Sequence, residues 1–362
     1  MEKREEERKV PLLEARPDGD GVIAGKVEED GDDDSSLSLS RRAWEENKKL
    51  WVVAGPSIFT RFSSFGVTVI SQAFIGHIGA TELAAYALVS TVLMRFSNGI
   101  LLAFVFFGGC PLTWTGFSSA ALTDLGAIIK LSLSSGVMLC LELWYNTILV
   151  LLTGYMKNAE IALDALSICL NINGWEMMIS IGFLAATGVR VANELGAGSA
   201  RRAKFAIVNV VLTSFSIGFV LFVLFLFFRG SLAYIFTESQ EVANAVADLS
   251  PLLAFSILLN SVQPVLSGVA VGAGWQSVVA YVNVTSYYLI GIPLGAILGY
   301  VVGFHVKGIW IGMLLGTLVQ TIVLLFITLK TDWEKQVEIA QERLKRWYME
   351  ENRRLQASRG NA

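Results

Sequence analysis

Long apolar segments recur through most of this 362-residue sequence and restrict its fold more than any other feature. A helix needs about 20 mostly apolar residues to cross a bilayer, and its backbone polar groups must be paired within the helix. Segments of this kind lie at residues 50–76, 82–107, 127–152, 159–188, 205–228, 244–272, 276–303 and 307–330. The pattern predicts an all-α chain that folds as a polytopic membrane helix bundle with about eight transmembrane helices.

Lysine and arginine are distributed unevenly over the loops that join these segments. An excess of both residues marks the cytosolic side of a membrane protein. If the N-terminus is cytosolic, the basic clusters at 41–49, 190–204 and 335–346 all lie inside. The outer loops then contain only Lys157, Arg229 and Lys307. This asymmetry predicts that both termini are cytosolic, which requires an even number of spans.

The two ends of the chain are charged, in contrast to the apolar middle. Residues 1–49 include the acidic tract EEDGDDDSS, and this composition predicts a disordered cytosolic tail. Residues 331–362 form a second cytosolic tail, in which Trp333, Val337 and Leu344 recur at near-helical spacing among charges. That spacing predicts an amphipathic helix lying on the membrane surface, with a partner-binding helix as the alternative.

Glycines recur every fourth residue in the last two apolar segments. They are Gly291, Gly295, Gly299 and Gly303 in one segment, and Gly308, Gly312 and Gly316 in the next. Small residues at this spacing allow the backbones of two membrane helices to approach closely. The pattern therefore predicts tight helix packing near the end of the bundle.

Several longer strings resemble plant multidrug and toxic compound extrusion (MATE, or DETOXIFICATION) transporters. They are VAGPSIFTRFSSFGVTVISQAFIGHIGATELAAYAL at 53–88, GGCPLTWTGFSS at 108–119, SGVMLCLELWYN at 135–146, ALSICLNINGWEMM at 165–178, GVRVANELGAGSARRAKFA at 188–206 and QPVLSGVAVGAGWQ at 263–276. The resemblance covers roughly residues 44–335, and the transparent-testa, flavonoid-type branch is the most similar. It implies proton-coupled antiport of organic solutes, xenobiotics or flavonoid-type metabolites across the vacuolar or plasma membrane.

One departure from the family pattern affects the first half of the chain. The family fold has twelve helices in two six-helix lobes, but here RFSNGILL at 95–102 passes directly into AFVFFGGCPLTW at 103–114, which resembles the end of the sixth helix. The resemblance therefore implies that the third to sixth helices are lacking. It divides the chain into truncated N-lobe helices at 50–107, a cytosolic linker at 108–126 and a complete six-helix C-lobe at 127–330.

This shortening leaves two hypotheses about function. The first is an active antiporter that needs no cofactor because a proton gradient drives it. The alternative is a truncated, transport-inactive isoform that associates with a second copy or with full-length relatives. Because two helices cannot enclose a substrate path, we expect the chain alone to be a weak or inactive transporter.

Glu142 is the candidate residue for proton coupling. It lies near the middle of the span at 127–152, where placing an ionisable group costs at least about 2.5–3.5 kcal/mol. Burial there disfavours the charged form, so this carboxyl could take a proton from one side and release it to the other. The resemblance agrees, because Glu142 matches the position proposed for proton coupling in plant MATE transporters. A structural carboxyl paired with a neighbour is the alternative.

Polar residues in the same and neighbouring spans form a candidate supporting network. Asn146 lies one turn beyond Glu142, and the next span carries Asn171, Asn173 and Glu176. Structural hydrogen bonding is the simpler role for these asparagines.

Three further polar residues lie within predicted spans. Asn260 replaces an Asp found in some plant relatives, and since an amide does not titrate, a relay of two carboxyls is not expected. Arg61 and Arg95 lie near the middle of the first two spans, where they should pair with a carboxylate or with carbonyls.

Catalytic and metal-binding patterns are missing from the sequence. It contains no HExxH, GxSxG or P-loop motif, and His77 and His305 lie far apart. We therefore predict no metal site and no enzyme activity. The net charge of −3 gives no reason to expect a nucleic-acid partner. The expected partners are protons, a small organic solute and the lipid bilayer.

Overall fold

The computed structural model describes residues 38–78, 125–155, 159–229, 231 and 233–360. The predicted second span, most of the predicted linker and Arg95 lie outside these residues. Residues 45–362 form one compact unit, and the other unit, 1–44, contributes only residues 38–44 to the description.

The first helix, α1 (Leu39–Ile78), is 40 residues long and contains Pro56. It begins before the predicted span at 50, so residues 39–49, predicted as part of a disordered tail, are helical instead. Their sequence, LSRRAWEENKK, is charged but rich in good helix formers, and Lys48 Nζ pairs with Glu45 Oε1 at 3.0 Å one turn away. Charge therefore excludes this segment from the membrane interior without preventing a helix.

The rest of the described chain is also helical. The helices are α2 (Leu125–Gly154), α3 (Ala159–Gly196), α4 (Ala200–Phe227), α5 (Gln240–Asn260), α6 (Gln263–Ala273), α7 (Gln276–Val301), α8 (His305–Lys330) and α9 (Trp333–Gly360). In the described part, α3 packs against α5 and α6, while α2 and α8 pack against α7. The predicted all-α class is confirmed.

Five stretches of the described residues are long and apolar enough to cross a membrane. They are Ile161–Gly196, Ala200–Phe227, Gln240–Ala273, Gln276–Val301 and His305–Lys330. The predicted spans at 50–76 and 127–152 fall within the continuous helices α1 and α2. The described helices thus have the predicted polytopic arrangement.

Two of the long stretches are not regular α-helices. Between α5 and α6 the helix is interrupted at Ser261 and Val262, just before Pro264, whose ring is tolerated in the first turn of the new helix. Helix α7 contains two π-helical stretches, Val284–Gly291 and Ile297–Val301, on either side of a short α-helical turn. Such wider turns occur often at functional positions of helices.

The glycines of α7 and α8 bring the two backbones into contact, as their spacing predicts. A Cβ atom added to Gly312 would lie 2.2 Å from Cα of Gly295, and one added to Gly308 would lie 2.6 Å from the backbone nitrogen of Gly299. No larger residue fits at either position without moving a backbone. The contact between the two helices is therefore made by main-chain atoms.

The amphipathic helix α9 packs against the bundle through its first turns. Trp333 and Val337 are buried in a cluster with Val191 and Leu195 at the end of α3. The Trp333 ring also lies 5.6 Å from the ring of Trp275. Protein atoms cover these two residues, so the membrane surface is not needed to bury them.

Candidate functional site

Two amide side chains from different helices meet between α3 and α5. Asn260 is the last residue of α5, and its Nδ2 donates a hydrogen bond to Oδ1 of Asn173 at 3.1 Å. The helix breaks directly after Asn260, so this amide lies at a helix end. The structure thus brings together two residues that were predicted to belong to one polar network.

Glu176 lies one turn after Asn173 on α3 and is only 5% exposed. Ser180 Oγ donates a hydrogen bond to its Oε1 at 2.6 Å, whereas Oε2 is buried without a hydrogen-bond partner among the described residues. The Asn260 amide lies beside this carboxyl but does not satisfy Oε2. A charged carboxylate without a cation is costly in such surroundings.

A small cavity of about 60 Å³ lies next to these residues. Its polar lining includes Tyr145, Asn173, Ser256, Asn260, Tyr287 and Thr317. A cavity of this size with several hydrogen-bonding groups is suitable for water molecules. The arrangement can therefore hold water beside the paired amides, close to the carboxyl of Glu176.

Two tyrosines stack on the wall of this cavity, and the sequence did not indicate them. The rings of Tyr145 on α2 and Tyr287 in the first π-helical stretch of α7 are 4.1 Å apart and nearly parallel. Tyr145 Oη donates to the carbonyl of Met313 at 2.8 Å. The tyrosine pair therefore links α2, α7 and α8 at the cavity.

A buried polar chain extends from this tyrosine pair. Tyr287 Oη donates to Oε1 of Gln320, and Gln320 Nε2 donates to Oδ1 of Asn283 at 2.6 Å. Gln320 and Asn283 are fully buried. Both are polar residues inside apolar segments, the signal that identified Asn173 and Asn260, so the same criterion applied to every span would have found them.

The other predicted site residues either do not join the amide pair or have side chains outside the described part of the chain. Asn171 is exposed, and its Nδ2 donates to the backbone carbonyl of Ser167 at 3.1 Å, so it does not join the amide pair. Glu142 and Asn146 belong to α2, but their side chains lie outside the described part. Glu142 precedes the cavity-lining Tyr145 by three residues, close to one helical turn.

Arg61 is exposed near the middle of α1. It borders a groove of about 670 Å³ between α1 and α3, away from the amide pair. The described residues contain no ion pair that involves Arg61. The predicted carboxylate partner is thus absent from this part of the chain.

A cluster of four charged side chains joins α1, α3 and α4 at the end of the bundle that is predicted to be cytosolic. Arg190 Nη2 lies 2.7 Å from Glu46 Oε1 and 2.8 Å from Glu194 Oε1. Arg202 on α4 adds a contact of 3.0 Å to Glu194 Oε2. Arg190 and both glutamates are largely buried, so these charges compensate one another within the protein.

A family model described as MatE matches residues 135–297. Several curated proteins of Arabidopsis thaliana are similar over a larger part of the chain. Protein DETOXIFICATION 21 is 46% identical, with 92% of this chain and 96% of that protein covered. Protein DETOXIFICATION 24 is 56% identical over a shorter region, which covers 67% of this chain and 49% of that protein.

The chain is shorter than these relatives. Its alignment with Protein DETOXIFICATION 21 is 474 positions long and includes 92% of the 362 residues of this chain. The chain thus fills about 333 of these positions, and about 141 positions of the relative have no counterpart. A gap of this total length agrees with the shortening expected from the sequence.

Solved transporters have a similar fold. The eukaryotic MATE transporter AtDTX14 superposes with a TM-score of 0.64 at 31% identity, covering 72% of this chain and 58% of that transporter. The chain thus spans less than two thirds of the length of AtDTX14. A multidrug resistance MATE family transporter in an outward-facing conformation gives a TM-score of 0.53 at 17% identity, which is evidence of fold alone.

Proposed function

Because this chain belongs to the multidrug and toxic compound extrusion (MATE) family of transporters, we propose that it exchanges protons for organic solutes across a membrane. The solutes are xenobiotics or flavonoid-type metabolites, and the direction is efflux from the cell or sequestration in the vacuole. The chain is then a multi-pass protein of the vacuolar or plasma membrane with both termini in the cytosol. A proton gradient supplies the energy, and no cofactor takes part.

The enclosed polar centre between α3 and α5 carries this proposal. Asn173 and Asn260 are hydrogen-bonded to each other there, and beside them one buried carboxyl oxygen of Glu176 has no hydrogen-bond partner among the described residues. Polar and ionisable groups are expensive within a membrane and are usually retained at substrate or ion pathways. The adjoining cavity is suitable for the water that proton movement requires.

Glu142 is the proposed proton carrier. Residues three positions apart on a helix are neighbours on its surface, so Glu142 shares a helical face with Tyr145, which lines the cavity. A carboxyl at this position can be loaded and emptied as access alternates between the two sides. Asn146, Asn171, Asn173, Glu176 and Asn260 are the polar groups proposed to support it.

Transport by the chain alone should be weak, because its first lobe is shortened. About 141 aligned positions of Protein DETOXIFICATION 21 have no counterpart here. The missing length favours a second candidate function, in which the chain is inactive by itself and associates with a second copy or a full-length relative. The residues from 127 to 330 would then act as one C-terminal lobe beside the partner's helices.

Proton-driven uptake into proteoliposomes tests the proposal. The purified chain is reconstituted, a pH gradient is imposed, and accumulation of ethidium and of quercetin is followed. We expect slow uptake that depends on the gradient and disappears in Glu142→Gln. Asp248→Asn is the matched control, because Asp248 is exposed and forms an ion pair with Lys307 on the surface. Uptake that does not depend on the pH gradient, or that is unchanged in Glu142→Gln, would overturn proton coupling through Glu142.

The second candidate predicts a different result. The chain alone would give no uptake above empty liposomes, but it would copurify with a co-expressed full-length DETOXIFICATION protein. An unrelated polytopic membrane protein with the same tag serves as the comparison for nonspecific association. Absence of both uptake and copurification would contradict both candidate functions.

A further inference from the structure

The groove between α1 and α3 has features of a binding site that the polar centre does not share. Its volume of about 670 Å³ is large enough for a small organic molecule, and the groove is open, since most of its residues on α1 are exposed. Residues of α1 at helical spacing form most of its wall, and Met178 of α3 closes the opposite side. The cavity beside Asn260, at about 60 Å³, is an order of magnitude smaller.

Hydroxyl groups on α1 give this wall a defined polarity. Thr60 Oγ1, Ser64 Oγ and Thr68 Oγ1 donate to the backbone carbonyls one turn earlier, at 2.9, 2.8 and 3.0 Å. A hydroxyl whose proton is used in this way still has lone pairs that accept hydrogen bonds. The wall therefore presents acceptors, which match hydroxyl donors on a ligand.

Arg61 supplies a positive charge in the same groove. The described lining residues include no carboxylate that could neutralise it. A guanidinium group presents a planar set of donors that fits a carboxylate or sulfonate through two parallel hydrogen bonds. The groove therefore favours an anionic group near Arg61.

An aromatic surface lies between these polar groups. Phe65 lines the groove, and its ring packs edge-on against Trp175 of α3 at 5.2 Å. Trp175 also contacts Phe62 at 4.5 Å, so the aromatic wall is held by both helices. Aromatic rings present a flat apolar face, which suits a flat ligand ring.

We propose that this groove binds hydroxylated aromatic organic anions. The anionic group pairs with Arg61, the ring packs on Phe65 and Met178, and a ligand hydroxyl donates to Ser64 or Thr68. Arg61 and Thr68 are seven residues apart, about 10 Å along the helix axis, which suits a two-ring ligand with its polar groups at opposite ends. This inference rests on the proposed transport function and specifies its substrate class.

Binding measured without transport tests the proposal separately from proton coupling. The full chain is placed in lipid nanodiscs and titrated calorimetrically with 6-hydroxynaphthalene-2-sulfonate and with its uncharged sulfonamide. We expect the sulfonate to bind at least about tenfold more tightly, because a hydrogen bond to a charged group is worth about one such factor or more. Arg61→Gln should remove this difference, and Arg61→Lys should retain part of it.

Matched variants separate the charge from the hydroxyl acceptors. Arg229→Gln removes an exposed arginine two residues after the end of α4 and should leave both affinities unchanged. Ser64→Ala with Thr68→Val should reduce the preference for the hydroxylated sulfonate over naphthalene-2-sulfonate. Equal affinity for the sulfonate and the sulfonamide, or an unchanged difference in Arg61→Gln, would overturn the proposal. Loss of proton-driven uptake with binding intact would contradict only the transport function.

Discussion

Arg190 and Glu46, 144 positions apart in the chain, form a largely buried ion pair of 2.7 Å that fastens α1 to α3. Glu194 shares the same guanidinium group, so two carboxylates depend on one arginine, with Arg202 assisting from the exposed side. The pair lies at the end of the bundle that carries the basic cluster of residues 190–204. This ion pair holds α1 to the bundle in addition to the apolar contacts between them.

Removing Arg190 should destabilise the fold strongly. Arg190→Gln leaves the buried carboxylate of Glu46 without its cation and leaves Glu194 with Arg202 alone among the described residues, and breaking a buried pair in this way costs about 3–5 kcal/mol. Lys48→Gln is the control, since the pair of Lys48 with Glu45 is exposed and should contribute less than about 1 kcal/mol. Thermal unfolding in detergent measures both variants. Adding Glu46→Gln to Arg190→Gln should recover part of the loss, and no recovery would contradict the pairing.

The same substitution at two glycines should have different effects on stability. Gly312→Ala places a Cβ 2.2 Å from Cα of Gly295, so α7 and α8 must separate and the midpoint of thermal unfolding should fall. Gly136→Ala has open space around it within α2 and should be neutral or stabilising by up to about 1 kcal/mol, since alanine favours a helix. Equal effects at both positions would show that the helix contact is not as close as described.

Tyr145 should contribute to stability through its hydroxyl as well as its ring. Tyr145→Phe keeps the stack on Tyr287 but removes the hydrogen bond from its hydroxyl to the carbonyl of Met313, which should cost about 0.5–1.5 kcal/mol. Tyr300→Phe is a suitable comparison, because the Tyr300 hydroxyl also donates to a backbone carbonyl, that of Leu152, but the residue is exposed. Urea or thermal unfolding compares the two. A larger loss for Tyr300 would contradict the role assigned to Tyr145.

Both termini should lie on the cytosolic side of the membrane. The basic clusters near α1, between α3 and α4, and in α9 all lie on one side in this orientation. Protease treatment of sealed, cytosolic-side-out vesicles should remove epitope tags from either end of the chain. A lumenal tag fused to a known secreted protein provides the protected control. Protection of either terminal tag would refute the orientation.

The sequence predicted elements whose signal is local. The length of the apolar segments predicted where the helices lie, and the spacing of glycines at every fourth residue predicted the contact of Gly312 with Gly295. The predicted beginning of α1 was wrong, because charge argues against burial in lipid but not against a helix. The sequence also showed no sign of the π-helical stretches in α7, since the wider turn depends on packing rather than on composition.

The candidate site was predictable only in part. Asn173 and Asn260 were identified as polar residues within spans, but their hydrogen bond joins positions 87 residues apart and needs the folded bundle. The stack of Tyr145 on Tyr287 was missed because tyrosine is common in membrane proteins and neither residue is unusual in its own segment. Pairing across helices is a tertiary property, and a single sequence contains no direct record of it.

The main-chain contact between α7 and α8 has a mechanical consequence. Gly295 and Gly312 have no side chains that could compress or change rotamer, and sliding the helices past each other would drive larger residues into the backbone. We therefore expect α7 and α8 to move together as one rigid unit. If helices of the bundle rotate against each other during transport, the chain must bend at another place. The interruption of the helix at Ser261 and Val262 can serve as such a hinge.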